Sequence, residues 1–242
     1  MELGGASSVP APRSLAEQAA GNLRHPLALT LLALTFSTGT VDAVSYLGLG
    51  HVFTANMTGN VVLLGFGIAH AGGLPIVAPI VSLAAFLFGS GVGGAMARRL
   101  ADRHPIHVAS ALGVETLLLL GATVVAAAAH PHPGTFAGDA TITFMAAAMG
   151  VRNATVRRLA VPDLTTTVLT MTLTALAADS TLAGGTGKGT LRRTSAVVAM
   201  LAGAVAGALM LRTGPTLPLA FAAALALATC AAYLSAQRRA PA

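Results

Sequence analysis

The stretch GTVDAVSYLGLGHVFTANMTGNVVLLGFG, residues 39–67, decides how the rest of this chain reads. Asp42, Thr54, Asn56, Thr58 and Asn60 stand in it among residues apolar enough to lie in a lipid bilayer. Polar and ionisable side chains in hydrocarbon are unfavourable unless they find partners, so a cluster of them points to a functional site. A second stretch, residues 150–177, reads as a degenerate copy of the first.

The surrounding composition agrees with a membrane setting. Of 242 residues, 55% are hydrophobic and 9% charged, with a mean hydropathy of +0.76. A soluble domain carries about 25% charged residues, so this chain is too poor in charge to cover a water-facing surface. The apolar runs are continuous rather than alternating, which selects an all-α integral membrane protein over a β-barrel. Abundant Ala and Gly suit helices that pack closely through small side chains. The net charge of +6 sits at the ends of apolar runs, as the positive-inside rule requires, and not along one face as nucleic-acid binding would. The lone Cys230 rules out a disulfide within the chain and a Cys-based metal site.

Runs of about 20 apolar residues are needed to span. They fall at 25–49, 75–97, 106–129, 140–156, 195–211 and 215–235, while 52–69 and 164–178 are shorter or richer in Thr, Asn and Gly. Seven or eight spans are the alternative to six. With eight spans and a cytoplasmic N-terminus, Arg98, Arg99, Arg103, Arg157 and Arg158 would lie outside. With six spans and two re-entrant or broken segments, those residues become cytoplasmic with Lys188, Arg192, Arg193, Arg238 and Arg239. Only Arg212 is then left on the far side. Six spans is the better topology. Residues 1–24 read as a disordered cytoplasmic tail rather than a cleavable signal peptide, 25–236 as one membrane domain, and 237–242 as a second cytoplasmic tail. No mitochondrial or lipidation signal is evident, so a bacterial inner membrane is expected.

Within the membrane domain, residues 25–130 and 138–236 line up as repeats. Gly39, Asp42 and Ala43 fall opposite Gly150, Asn153 and Ala154. After a one-residue slip, Thr54, Thr58 and Asn60 meet Thr166, Thr170 and Thr172. Leu87, Gly89, Gly93 and Arg98 then match Leu201, Gly203, Gly207 and Arg212. Three spans per repeat invert the second copy relative to the first, a layout of secondary transporters and channels.

The runs GTVDAVSYLGLGHVFTANMTGN (39–60), MGVRNATVRRL (149–159) and DLTTTVLTMTLTALAAD (163–179) resemble the YoaK-like family. Its members are bacterial multi-pass membrane proteins grouped by a domain of unknown function. The resemblance covers roughly residues 25–236 and implies a fold rather than a reaction. One departure is Arg152, which stands where the family often has Gln.

Several side chains carry candidate chemistry. An ionised Asp42 within a span is unfavourable by about 2.5–3.5 kcal/mol on insertion scales. It reads either as a proton or cation site or as a cap at a helix end. Gly59 permits a helix break, whose free amides, with Asn56, Thr58 and Asn60, would bind a polar solute. The bland reading is interhelical hydrogen bonding, worth about 0.6 kcal/mol per contact. Thr166, Thr170 and Thr172, with neighbouring threonines, would line a pathway or bond to preceding carbonyls. Arg152 and Asn153 are candidates to pair with Asp42 across the pseudo-symmetry axis. Glu115, about ten residues into a span, is the second titratable candidate. The pairs Gly89/Gly93 and Gly203/Gly207 read as packing faces, and they permit a homo-oligomer without requiring one.

His104/His107 and His130/His132 are weak metal signals, and no metal or cofactor is expected. The run GGTGKGT (184–190) lacks the spacing of a phosphate loop and reads as a linker. No nucleophile–base pair is visible, so an enzyme is not expected. The leading expectation is a permease for an unknown small solute or ion, possibly proton-coupled through Asp42. A passive channel and a non-transport assembly protein are the rivals, and the lipid bilayer is the one certain partner.

Overall fold

The computed structural model describes residues 26–101, 103–159 and 169–239, and among these every regular element is helical. The chain runs α1 (Pro26–Gly48), α2 (Met57–Ile68), α3 (Val77–Arg99), α4 (His104–Ala129), α5 (Phe136–Leu159), α6 (Leu169–Ala178), α7 (Thr190–Leu211) and α8 (Thr216–Arg239), with a 3-10 turn at Thr181–Ala183. The expected tail 1–24 and Thr166 lie outside the described residues.

The helix ends follow local chemistry. Beyond α1, Gly50 and His51 both take positive φ, of 105° and 56°, which turns the chain out of the helix. His130 closes α4 in the left-handed conformation, ahead of Pro131 and Pro133. Thr135 opens α5 by accepting from Gly138 N at 3.1 Å, with Asp139 in the first turn of that helix. Several long helices run past their apolar limits. α7 starts at Thr190 and α8 ends at Arg239, because polar outer turns extend a helix without contributing to an apolar run.

Among the described residues, five helices (α1, α3, α4, α7 and α8) are long and apolar enough to cross a membrane. α5 is the sixth long helix, with 24 residues, or roughly 36 Å at 1.5 Å per residue. Its charges Asp139, Arg157 and Arg158 lie in its terminal turns, so Arg152 alone is charged between them. It packs lengthwise against both α3 and α4, and its inward side chains need not meet lipid. α2 has 12 residues, and the described part of α6 has 10. At roughly 18 Å, α2 is too short for a hydrocarbon core of about 30 Å.

Their packing gives the path of α2. Thr54 and Ala55 bond Asp42, six residues before the end of α1. Asn60 meets Ser82, five residues into α3. Gly67, near the end of α2, lies against Pro75 and Ile76 at the start of α3. The loop therefore descends beside the end of α1, and α2 climbs back out along α3. This is a re-entrant hairpin. It puts the C-terminus of α1 and the N-terminus of α3 at one end of the bundle.

Helix directions agree with six crossings. α4 and α8 pack together along their length, and Cys230, late in α8, sits 3.7 Å from Ala109 O, early in α4. Leu119, Ala122 and Ala126 share a core with Leu219, Ala222 and Ala226. The two helices are antiparallel. Had all eight segments crossed in alternation, the fourth and eighth would run the same way.

Two close crossings hold the bundle, α1 on α7 and α3 on α5. Each is parallel and built on glycine. Gly203 and Gly207 lie against the backbone at Phe36 and Thr40, while Gly89 and Gly93 lie against Ala147 and Val151. An added Cβ on Gly207 would stand 2.7 Å from Thr40 O, and one on Gly93 2.9 Å from Ala154 Cβ. Only glycine leaves room for these contacts. Gly39 and Gly150 meet the opposing backbones at Met200/Ala204 and Phe86/Ser90, positions that correspond in the two halves of the sequence.

Gly89→Leu or Gly203→Leu should therefore lower unfolding stability by about 1–3 kcal/mol or more, whereas Gly91→Leu, open on its Cβ side, should be neutral in detergent melts. In a Cys230→Ser background, cysteines at Gly72 and His132 should react with an impermeant thiol reagent from one side of the membrane, and a cysteine at Thr186 from the other. Labelling of all three from the same side would refute the six-crossing arrangement.

Candidate functional site

Where α1 stops, its neighbouring peptide groups need partners, and the polar side chains of residues 42–60 supply them. The Asp42 Oδ1 accepts from Thr54 N at 3.0 Å, Ala55 N at 2.9 Å and the Thr54 hydroxyl at 3.5 Å. Asn60 grips Phe53 at two points: its Oδ1 accepts from Phe53 N at 2.8 Å and its Nδ2 donates to Phe53 O at 2.6 Å. Ser82 also donates to Phe53 O, at 2.6 Å, and accepts from Asn60 Nδ2 at 3.1 Å. Asn56 caps α2 by accepting from Gly59 N at 3.3 Å. The amides freed by the break are thus taken by Asp42, Asn60 and Asn56, contrary to the expectation that they would face a solute. In a medium without water, backbone donors recruit the nearest acceptors.

One oxygen is left over. Asp42 Oδ2 has no protein partner among the described residues, and Asp42 lines a cavity of about 610 Å³. This space lies between α1, the re-entrant loop, α6 and α7, with Tyr46, Phe53, Asn56, Thr170 and Met200 among its walls. Tyr46 stacks on Phe53 at 4.9 Å between centroids and meets His51 edge-on at 5.2 Å. The cavity is in the size range of small-molecule sites, mostly apolar with a few convergent polar groups. Asp42 and Asn56 from the first broken segment and Thr170 from the second share it.

The second ionisable cluster is elsewhere. The expected pairing of Arg152 with Asp42 is corrected: Arg152 forms its ion pair with Glu115, both side chains being 1% exposed. Its Nη1 also donates to Leu34 O and Thr38 Oγ1, each at 2.9 Å, and its Nη2 to Ser37 Oγ at 3.1 Å. α5 thereby reaches across to α4 and α1 through one guanidinium. Such a pair in a low-dielectric interior is retained because removing one partner strands the other. A cavity of about 10 Å³ lies beside it, too small for a solute, and neither Glu115 nor Arg152 lines the 610 Å³ cavity.

The remaining expected residues divide. Thr58 is exposed and Gly59 half-buried; Gly59 lies so near the Phe53 ring that a Cβ would stand 2.8 Å from it. Thr172 is buried but does not line the cavity. Thr174 bonds Thr170 O at 2.9 Å, the back-bonding reading of that block. Asn153 donates to Met149 O at 2.8 Å and faces a different cavity, between α3 and α5. Tyr46, Ser82 and Thr38 were not singled out in the sequence. Tyr46 had a usable signal, since 38, 42 and 46 recur every four residues on one helix face.

Asp42→Asn keeps an acceptor for Thr54 N and Ala55 N, so it should melt close to the parent protein. Asp42→Ala should cost about 1–3 kcal/mol for each amide left unsatisfied. Glu115→Leu alone should cost about 3–5 kcal/mol, and Glu115→Leu/Arg152→Met should recover most of that loss. Additive losses in the double variant would contradict the pairing.

Residues 30–232 match the family model described as "Protein of unknown function (DUF1275)". The UPF0700 transmembrane protein YoaK of Bacillus subtilis (strain 168) is 34% identical over 152 residues, 62% of this chain. That match covers 65% of the relative, just under two thirds of its length. No solved structure matches the chain. With six long helices among the described residues and a family match over most of its length, the chain belongs to the DUF1275 family of multi-pass membrane proteins.

Proposed function

We propose that this protein is a permease for a small solute or ion, coupled to protons through Asp42. One observation carries the reading: Asp42, Asn56 and Thr170, drawn from both broken segments, line a single cavity of about 610 Å³. In this reading Asp42 keeps one oxygen on the loop amides and offers the other to a proton or a cationic group. Asn56 and Thr170 replace part of the solute's hydration shell.

The recurrence of the Gly203/Gly207 crossing as Gly89/Gly93 supports an inverted repeat. That symmetry suits alternating access around a fixed site. The arginines at the ends of α3, α5 and α8 support a bacterial inner membrane with both termini cytoplasmic. The rival reading, that the polar residues only bind helices together, is favoured at Asn60 and Arg152, whose groups are engaged within the protein. It does not account for the acid on the cavity wall.

Proteoliposomes with an entrapped pH dye test the proposal. One class of solute from a panel of amines, amino acids, carboxylates and inorganic ions should drive proton movement, and Asp42→Asn should abolish it while leaving the fold intact. Asn56→Ala and Thr170→Ala should raise the half-saturating concentration roughly 2–10-fold. Flux that survives Asp42→Asn and ignores a pH gradient would favour a passive channel. Absence of flux for every solute would favour the assembly role.

A further inference from the structure

Gly89 and Gly93 bring α3 and α5 into contact, and along the same crossing lies a second cavity, of about 880 Å³. Ser90, Gly94 and Arg98 form one wall, a stripe at successive helical turns of α3. Asn153 and Arg157, likewise one turn apart, form the facing wall with Arg158. The Arg158 Nη2 donates to Ala97 O at 3.4 Å, which ties that side chain to the rim. Arg98 stands within reach of Gly94, whose added Cβ would be 3.8 Å from the Arg98 Nη1.

No described carboxylate neutralises this cluster. Asp42 is at the other end of the bundle, Glu115 is paired with Arg152, Asp179 is paired with Arg193, and Asp139 sits in the first turn of α5. Glu2, Glu17, Asp102 and Asp163 lie outside the described residues. Arginines in the last turn of a helix complement its dipole, but that role does not require three of them around one cavity. The first cavity offers an internal comparison. Counted along the two halves of the chain, Asp42, Tyr46 and Leu47 there correspond to Asn153, Arg157 and Arg158 here. The same crossing geometry thus carries an acid in one place and cations in the other.

We propose that this second cavity binds a phosphate-bearing anion, free or as the headgroup of an anionic lipid. Arg98, Arg157 and Arg158 present planar guanidinium forks suited to phosphate oxygens. Basic pockets between membrane helices, at the ends of those helices, are placed to meet lipid headgroups. The proposal is independent of any transport by the first cavity.

The full chain, purified in a neutral detergent, is melted with phosphatidylglycerol or phosphatidylcholine in the micelles, and separately with sodium phosphate or sodium chloride at matched ionic strength. A saturable rise in melting temperature with phosphatidylglycerol alone assigns a lipid headgroup; the same rise with inorganic phosphate assigns a free anion. Arg98→Gln and Arg157→Gln should each weaken the effect about tenfold or more, and Arg212→Gln should leave it unchanged. Gly94→Leu keeps every charge and has room for its Cβ, but sets a branched apolar side chain in the cavity wall beside Arg98, and should weaken the effect. Equal melting in all four conditions overturns the proposal. So does a shift left undiminished by Gly94→Leu and by both arginine substitutions, which would reveal diffuse surface charge rather than a site.

Discussion

A loop that dips into a bilayer and a helix that starts there leave peptide N–H groups with no water to bond, and the rest of this structure is arranged around meeting that demand. Asp42 takes two amides of the re-entrant loop. Asn60 takes both polar groups of Phe53. Ser82 joins them from α3. Three helices are tied to one loop by these contacts, which is why so short a segment as α2 has a defined place. The cavity follows from the same arrangement, since the loop roofs the space between α1, α6 and α7 instead of filling it.

Burial explains where polar residues gather. α1 is largely buried and carries Thr30, Thr35, Ser37, Thr38, Thr40, Asp42 and Ser45 in its interior face. α7 keeps most of its side chains outward, with Val198, Leu201, Val205 and Leu209 exposed. In a bilayer the outward helices must be the apolar ones, and the inner helices are released from that requirement. Many of the inner hydroxyls bond to carbonyls one turn back, as Thr35, Thr38 and Thr116 do, so they pass as apolar side chains of nearly the same bulk.

Much of this was legible in the sequence, and the remainder has identifiable causes. Continuous apolar runs announced the long helices, and the Thr/Asn-rich interruptions announced the short ones. The glycine pairs announced the crossings because close approach has a residue signature. The partners of Asp42 were hidden, since the groups it holds are backbone amides, which every residue carries. The Glu115–Arg152 pair was hidden for a different reason: its members are 37 positions apart, and charge attraction alone does not rank Glu115 above Asp42. α5 reads as a poor span by composition, yet its least apolar residue, Arg152, is buried in the bundle.

The Arg152 fork has a mechanical consequence. Each glycine crossing locks its two helices backbone to backbone, making α1 with α7 and α3 with α5 two stiff limbs. Direct contact between the limbs is slight, and the guanidinium of Arg152 is the rivet that joins α5 to α1. Any rocking of one limb against the other must first break or exchange its bonds to Leu34, Ser37 and Thr38. Glu115 stays with Arg152 through such an exchange only if α4 travels with α5. Besides the path through α8 and α4, Arg152 thus links the two limbs directly, and its bond to Thr38 reaches the wall of the first cavity.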